Sequence, residues 1–131
     1  MNQFDDLQID QESFSWDDLM GIDSWKTFTP SFTNLGTSGT LSAAGRFKEL
    51  GRMVLFQAQF SAGTYVASTA GTTYMNCVKS ARGYGGNVTM VNATAKTSVG
   101  NGVIDVANSR VYLPGQSTSG NTFVVSGWHE A

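Results

Sequence analysis

One histidine and one cysteine are the strongest nucleophile and metal-ligand candidates in this sequence. A Cys77–His129 pair could in principle supply a nucleophile and its base, but the neighbours of neither residue match a nucleophile signature. A structural zinc site needs four nitrogen or sulfur ligands. We therefore predict no metal and no cofactor. His129 is interpreted as a polar group near a strand end, and Cys77 as a small buried hydrophobic residue in the strand-like run 74–78.

Carboxylate pairs are the other source of chemistry, because two acids can cleave a glycosidic bond. From residue 25 onward the acids are Glu49, Asp105 and Glu130. Glu49 lies between Lys48 and Arg52, which favours pairing with a base on a solvated face, and Asp105 is either a satisfied inward polar residue or a sheet-surface residue. Counting alone leaves a small glycan hydrolase open, but the sequence predicts a protein that is not an enzyme.

Residues 82–87 form a glycine-rich loop that contains an arginine and a tyrosine. The loop lacks the Lys-Ser/Thr ending of a phosphate-binding loop, so a strand connection is one interpretation. Contact with a sugar or a peptide is the other, because an exposed aromatic ring beside an arginine suits both ligands. The candidate ligand contacts are Tyr65, Arg82, Tyr84 and Trp128.

Charge divides the chain into two parts. Residues 1–24 hold seven acids and no base, whereas residues 25–131 hold eight bases and three acids, a net charge of +5. An acidic arm on a basic body is expected to seek a basic surface, either on a neighbouring copy or on a larger partner. A solvated acidic tail is the alternative.

The acidic arm also carries apolar side chains, which favours binding over solvation. Ser15 to Asp18 has the spacing of a helix N-cap followed by first-turn carboxylates, so we expect one or two helical turns at about 16–20. So short a helix is marginal in water and needs a docking partner. The predicted docking residues are Phe4, Leu7, Ile9, Phe14, Trp16, Leu19, Met20 and Ile22.

From Trp25 onward the pattern predicts one all-β domain, residues 25–131. Apolar and polar residues alternate through a strand at 26–33 and through a hairpin formed by 46–52 and 53–60. Further strands are expected at 64–69, 73–79, 87–93, 102–106, 110–114 and 122–128. Eight or nine such strands predict an antiparallel β-sandwich of jelly-roll type. The sequence contains no apolar run long enough for a membrane helix and no signal-peptide pattern, so synthesis in a cytoplasm is expected.

Three segments resemble a domain that is widespread at the exposed ends of tailed-bacteriophage structural proteins, including receptor-binding heads and head-decoration proteins. They are WKTFTPSFTNLG at 25–36, GRFKELGRMV at 45–54 and VSGWHEA at 125–131. The resemblance implies a jelly-roll β-sandwich that assembles as a homotrimer on the virion surface. Only 24 residues precede Trp25 here, whereas family members on tail fibres follow a long shaft.

With so short an arm, the resemblance implies a small accessory subunit that docks on the major capsid protein or another virion protein. Head decoration is the first expectation, and a tail-tip adhesin for a host receptor or host-surface glycan is the second. We expect neither a nucleic-acid partner nor membrane insertion. Apolar strand faces that would be exposed to water in an isolated domain are candidates for the trimer interface. The predicted interface residues are Met53, Leu55, Tyr74 and Tyr112.

Overall fold

Twelve β-strands make up the regular structure of residues 25–118 and 120–131, the part of the chain that this computed structural model describes. In chain order they are β1 (Lys26–Phe28), β2 (Phe32–Thr33), β3 (Gly36–Ser38), β4 (Ser42–Leu50), β5 (Met53–Ser61), β6 (Tyr65–Ser68), β7 (Tyr74–Asn76), β8 (Val88–Asn92), β9 (Thr97–Asp105), β10 (Arg110–Tyr112), β11 (Gln116–Thr118) and β12 (Phe123–Glu130). The predicted arm, residues 1–24, and its helical turns at 16–20 lie outside the described residues.

The predicted hairpin is present as β4 and β5. The two strands pair along their full length, from Ser42 opposite Ser61 to Leu50 opposite Met53. A two-residue turn joins them, and Gly51 takes a positive φ of 60° there, which a hairpin of this loop length favours. The register confirms that Val54, Phe56, Ala58 and Phe60 share one face, since all four are buried.

Other parts of the strand prediction were wrong. The single strand expected at 26–33 is two short strands separated by buried Pro30, because proline cannot donate a ladder hydrogen bond. β3 and β11 were not expected, and they flank β6 in a separate three-stranded sheet. The described strands therefore exceed the predicted eight or nine.

The larger sheet has nine strands in the order β1-β4-β5-β12-β8-β9-β10-β7-β2, so that β1 and β2 are its two edges. A flat sheet of nine strands is about 38 Å wide. The chain from Phe28 at the end of β1 to Phe32 at the start of β2 spans about 14 Å at most. The sheet must therefore curl until its two edges approach each other.

The core lies inside this curl. The rings of Phe32 on β2 and Phe60 on β5 are 4.7 Å apart, and Phe123 on β12 stacks on Phe60 at 5.7 Å. β9 joins the half of the sheet that contains β8 to the half that contains β10, because Thr97 to Gly102 pair with β8 and Val103 to Asp105 pair with β10. The fold is all-β and antiparallel, consistent with the predicted β-sandwich. Within the described residues there is no helix of the length and apolarity required to cross a membrane.

Candidate binding surface

The side chains of β4, β5 and β12 that point away from the core form one continuous surface, here called the outer face. Alternation fixes its members, because the residues between them are core residues such as Phe47, Val54 and Phe123. The outer face consists of Ala44, Arg46, Lys48 and Leu50 from β4, Met53, Leu55, Gln57 and Gln59 from β5, and Val124, Ser126, Trp128 and Glu130 from β12.

The glycine-rich loop extends this surface by one further strand-like segment. The N–H groups of Arg82 and Gly86 donate to the carbonyls of Glu130 and Trp128, both at 2.8 Å, and the N–H of Glu130 donates to the carbonyl of Tyr84 at 2.8 Å. Gly85 forms an isolated antiparallel bridge with His129. Tyr84 is therefore opposite Glu130 and Gly86 is opposite Trp128, on the outer face.

Gly86 is required at its position by the indole of Trp128. A Cβ atom at residue 86 would overlap the Nε1 edge of that ring. The indole therefore lies over the backbone of the loop, so the aromatic side chain and the glycine-rich segment hold each other in place.

An apolar cluster occupies the part of the outer face nearest the β4–β5 turn, here called the apolar end and defined as Leu50, Met53, Leu55, Tyr84 and Trp128. The register places these side chains in two rows across the strands. Leu50 and Met53 lie in one row together with Glu130, and Leu55 and Trp128 lie in the other together with Lys48. Tyr84 is 75% exposed and Leu50 43% exposed. Contiguous exposed apolar surface of this kind marks a contact site more often than scattered apolar residues do.

A polar region adjoins the apolar end. The Nε of Arg46 donates to Oε1 of Gln57 at 2.9 Å, and the hydroxyls of Thr89 and Ser126 are 3.1 Å apart. The Arg46 guanidinium also lies over the Trp25 ring, 4.9 Å from its centroid. Beyond them lies an open groove of about 440 Å³, lined by Thr27, Ala44, Gly45, Arg46, Gln57, Gln59 and Val124.

A second cluster, here called the tyrosine patch, lies on β7, β9 and β10 and consists of Tyr74, Val103, Arg110 and Tyr112. Tyr112 is opposite both Tyr74 and Val103, and Val103 is 65% exposed. The two tyrosine rings are 5.4 Å apart, and the Arg110 guanidinium lies 4.3 Å from the centroid of Tyr74. A hydrogen bond from Arg110 to the Tyr112 hydroxyl at 3.4 Å raises the pKa of the guanidinium above its ordinary value.

The four predicted interface residues thus fall into two pairs. Met53 and Leu55 belong to the apolar end, while Tyr74 and Tyr112 belong to the tyrosine patch. β12, β8 and β9 separate β5 from β10 in the sheet order.

The four predicted ligand contacts divide unevenly. Arg82, Tyr84 and Trp128 come together through the ladder that joins the loop to β12. Tyr65 lies on β6 in the three-stranded sheet, where its hydroxyl is 3.4 Å from that of Ser117. Sequence reasoning missed Leu50 and Arg46 as members of the surface, although the hairpin register, which was predictable, places Leu50 beside Met53.

The titratable residues considered for chemistry lie in separate places. Glu49 pairs with Lys79 at 2.7 Å rather than with Lys48 or Arg52, and the hydrogen bond from Lys79 lowers the pKa of the carboxyl. Asp105 accepts from the side chain of Asn108 at 2.9 Å, which satisfies it at the sheet surface. Among the described residues no group of three or more His, Cys, Asp or Glu could hold a metal ion.

Cys77 and His129 also lie in different environments. Cys77 follows β7 and does not lie in a strand as predicted, and it is partly buried, packed against the core. Burial, and secondarily the charge of Asp105, raises the pKa of its thiol to about 11. His129 lies near the end of β12, as predicted, and the structure shows that it is fully buried; its Nδ1 donates to the carbonyl of Glu130 at 2.9 Å.

No protein-family model, no curated protein and no solved structure matches this chain. The resemblance to bacteriophage surface domains therefore stays an expectation from the sequence.

Proposed function

We propose that this chain is a structural accessory subunit of a bacteriophage virion, a capsid decoration or cement protein with a jelly-roll domain that docks through its N-terminal arm. The observation that carries the proposal is the outer face, where a rigid antiparallel sheet exposes a contiguous apolar end. Tyrosine, tryptophan, methionine and arginine are the residue types enriched at the centres of protein interfaces, and the outer face and the tyrosine patch contain all four.

The proposed subunit assembles as a homotrimer, and the tyrosine patch is the part of the predicted interface that we assign to the contact between copies. Its two rings and Val103 form one row, and Arg110 is held in place by both tyrosines. Side chains already fixed in the free subunit lose little entropy when an interface forms. Met53 and Leu55 lie in the apolar end and are left to a different contact.

The test of this proposal is a decoration assay with a chain that lacks residues 1–24. Purified full-length and truncated proteins are added to phage particles that lack the subunit, and occupancy is measured by sedimentation. We expect the truncated chain to stay folded, as judged by its cooperative thermal transition, and to lose binding to the particle. A full-length Phe4→Ala/Leu7→Ala variant is the matched control for chain length, and it should bind more weakly than the parent. Normal occupancy by the truncated chain would overturn the proposal.

The convergence of Arg82, Tyr84 and Trp128 favours a second candidate, a tail-tip adhesin that binds a host receptor or a host-surface glycan. An exposed aromatic ring beside an arginine can stack on a sugar and donate to its hydroxyls. Imaging of labelled protein on particles separates the two functions, since label over the head supports decoration and label at the tail tip supports adhesion. In a glycan-binding assay, Tyr84→Ala should then abolish binding, while Tyr65→Ala, at another exposed tyrosine, should leave it unchanged.

A further inference from the structure

The apolar end of the outer face is bordered by positive charge. Arg46 and Lys48 are its neighbours on β4, Arg52 lies in the turn that follows Leu50, and Arg82 lies in the segment that follows β12 in the sheet. Of the described acids, Glu130 is the one that the register places among them. A surface with four bases, one acid and an apolar centre is complementary to a peptide that is both acidic and apolar.

The chain itself reaches this surface at the point where the described residues begin. β1 runs antiparallel to β4 with Lys26 opposite Phe47, so Trp25, the first described residue, lies at the level of Lys48. Trp25 already contacts the outer face through the guanidinium of Arg46. The described part of the chain therefore begins at the edge of the apolar end.

We infer that residues 14–22 of the same chain cover the apolar end of their own subunit. This segment carries Phe14, Trp16, Leu19, Met20 and Ile22, and residues 14–24 add Asp17, Asp18 and Asp23 without a base. The acids Asp17 and Asp18 within the segment, and Asp23 just after it, are opposite in sign to the bases that border the surface. The inference deepens the proposed function and rests on it in one respect: Phe4, Leu7 and Ile9 stay available for the virion protein.

Distance does not oppose this contact. The three strand spacings from β4 to the segment at 82–86 amount to about 14 Å. Residues 14–22 are 3 to 11 positions from Trp25, which corresponds to a reach of roughly 10 to 40 Å in an extended chain. Because docking is intramolecular, a short connection gives an effective concentration in the millimolar range. A contact of low intrinsic affinity is therefore enough to keep the segment docked. Screening by salt should weaken it, since the charges involved are exposed.

A spin label on the arm tests the contact in the full-length protein. The label is attached to Ser15→Cys in a Cys77→Ser background, and amide signals are compared with those of the reduced label. We expect a more than twofold loss of signal at Leu55, Tyr84 and Trp128 and no loss at Ser117 in the other sheet. No loss at the apolar end would overturn the inference.

Mixing separates the chain's own arm from the arm of another copy. Spin-labelled protein without ¹⁵N is combined with an equal amount of ¹⁵N-labelled protein that carries no spin label. We expect no broadening in the mixture. Broadening of the apolar end there would show that a second copy is the occupant, which contradicts the inference.

Charge reversal provides a matched pair of variants. Lys48→Glu/Arg52→Glu removes positive charge beside the apolar end, and Lys96→Glu removes it at the exposed turn between β8 and β9. The first variant should reduce the broadening at least twofold, and the second should leave it unchanged. Equal effects of the two would refute the role of local charge. Decoration of particles is scored separately, so loss of decoration on arm deletion combined with no broadening would reject this inference and keep the proposed function.

Discussion

Replacing Gly86 with alanine tests whether the glycine-rich loop and Trp128 position each other. The added Cβ would overlap the indole, so the ring must move off the loop backbone or the backbone must shift. Overpacking of this kind typically costs about 1–3 kcal/mol of unfolding free energy. We expect a loss in that range for Gly86→Ala.

A double-mutant cycle assigns the cost to the indole. In a Trp128→Ala background the obstacle is absent, so Gly86→Ala should cost less than about 0.5 kcal/mol, and the coupling between the two changes should be about 1–3 kcal/mol. Urea denaturation of the parent and the three variants measures it. Gly115→Ala is the matched control, because a Cβ there meets its nearest neighbours at ordinary contact distances of 3.5 Å and more.

The reasoning is refuted if Gly86→Ala costs as much without Trp128 as with it, or no more than Gly115→Ala. Either result would mean that the loop backbone, and not the ring, limits the space at residue 86. The apolar end would then lack the mutual support that the binding proposal assumes.

Three further predictions concern buried or titratable groups. The Cys77 thiol has a pKa of about 11, so at pH 8 it should have about 200-fold less thiolate than an unperturbed cysteine. A thiolate of higher pKa is more nucleophilic, which offsets part of this difference. We therefore expect Cys77 to react with a disulfide reagent roughly 20-fold more slowly in the folded protein than in the urea-unfolded chain. A rate equal to that of the unfolded chain would contradict the burial argument. His129→Ala should lower the free energy of urea unfolding by about 2–5 kcal/mol because it leaves a cavity. His129→Phe should lower it by less than about 1.5 kcal/mol, since phenylalanine keeps the volume and removes an Nε2 that has no partner among the described residues. Equal losses for the two variants would exclude the cavity explanation. The hydrogen bond from Lys79 lowers the pKa of Glu49, so the contribution of this pair to stability is present above the pKa of the unfolded carboxyl and is lost as the pH falls through the folded pKa. The difference in unfolding free energy between the parent and Lys79→Met should therefore shrink below about pH 4. A difference that does not depend on pH would argue against the pair.

The local parts of the fold could be predicted from the sequence. Period-two alternation around a two-residue turn defined the β4–β5 hairpin, its inward face and its outward face, because strand side chains alternate strictly. The β-branched and aromatic residues of 122–128 predicted a strand that ends near His129. These features depend on neighbours in sequence, so pattern reasoning reaches them.

The long-range parts could not be predicted in this way. Nothing local indicates that β1 and β2, separated by three residues, become opposite edges of one sheet. Likewise, the pairing of residues 82–86 with β12 depends on contacts between segments more than forty positions apart, and loop closure over such a distance leaves no periodic signal. The same limit applies to the candidate site. The sequence predicted Tyr84 and Trp128 as ligand contacts, but only the pairing of residues 82–86 with β12 shows that they share a surface from which Tyr65 is absent.

The last strand shows how the core and the surface depend on each other. In β12 the side chains of Phe123, Val125 and His129 enter the core, and those of Trp128 and Glu130 stand on the outer face. A shift of one residue in its pairing with β5 would exchange the two sets, burying a carboxylate and exposing a phenylalanine. The burial of Phe123 and Val125 therefore fixes the register that aligns Trp128 with Leu55. The composition of the apolar end is thus set by the core beneath it, and the segment proposed to dock there contacts a surface that the fold has already arranged.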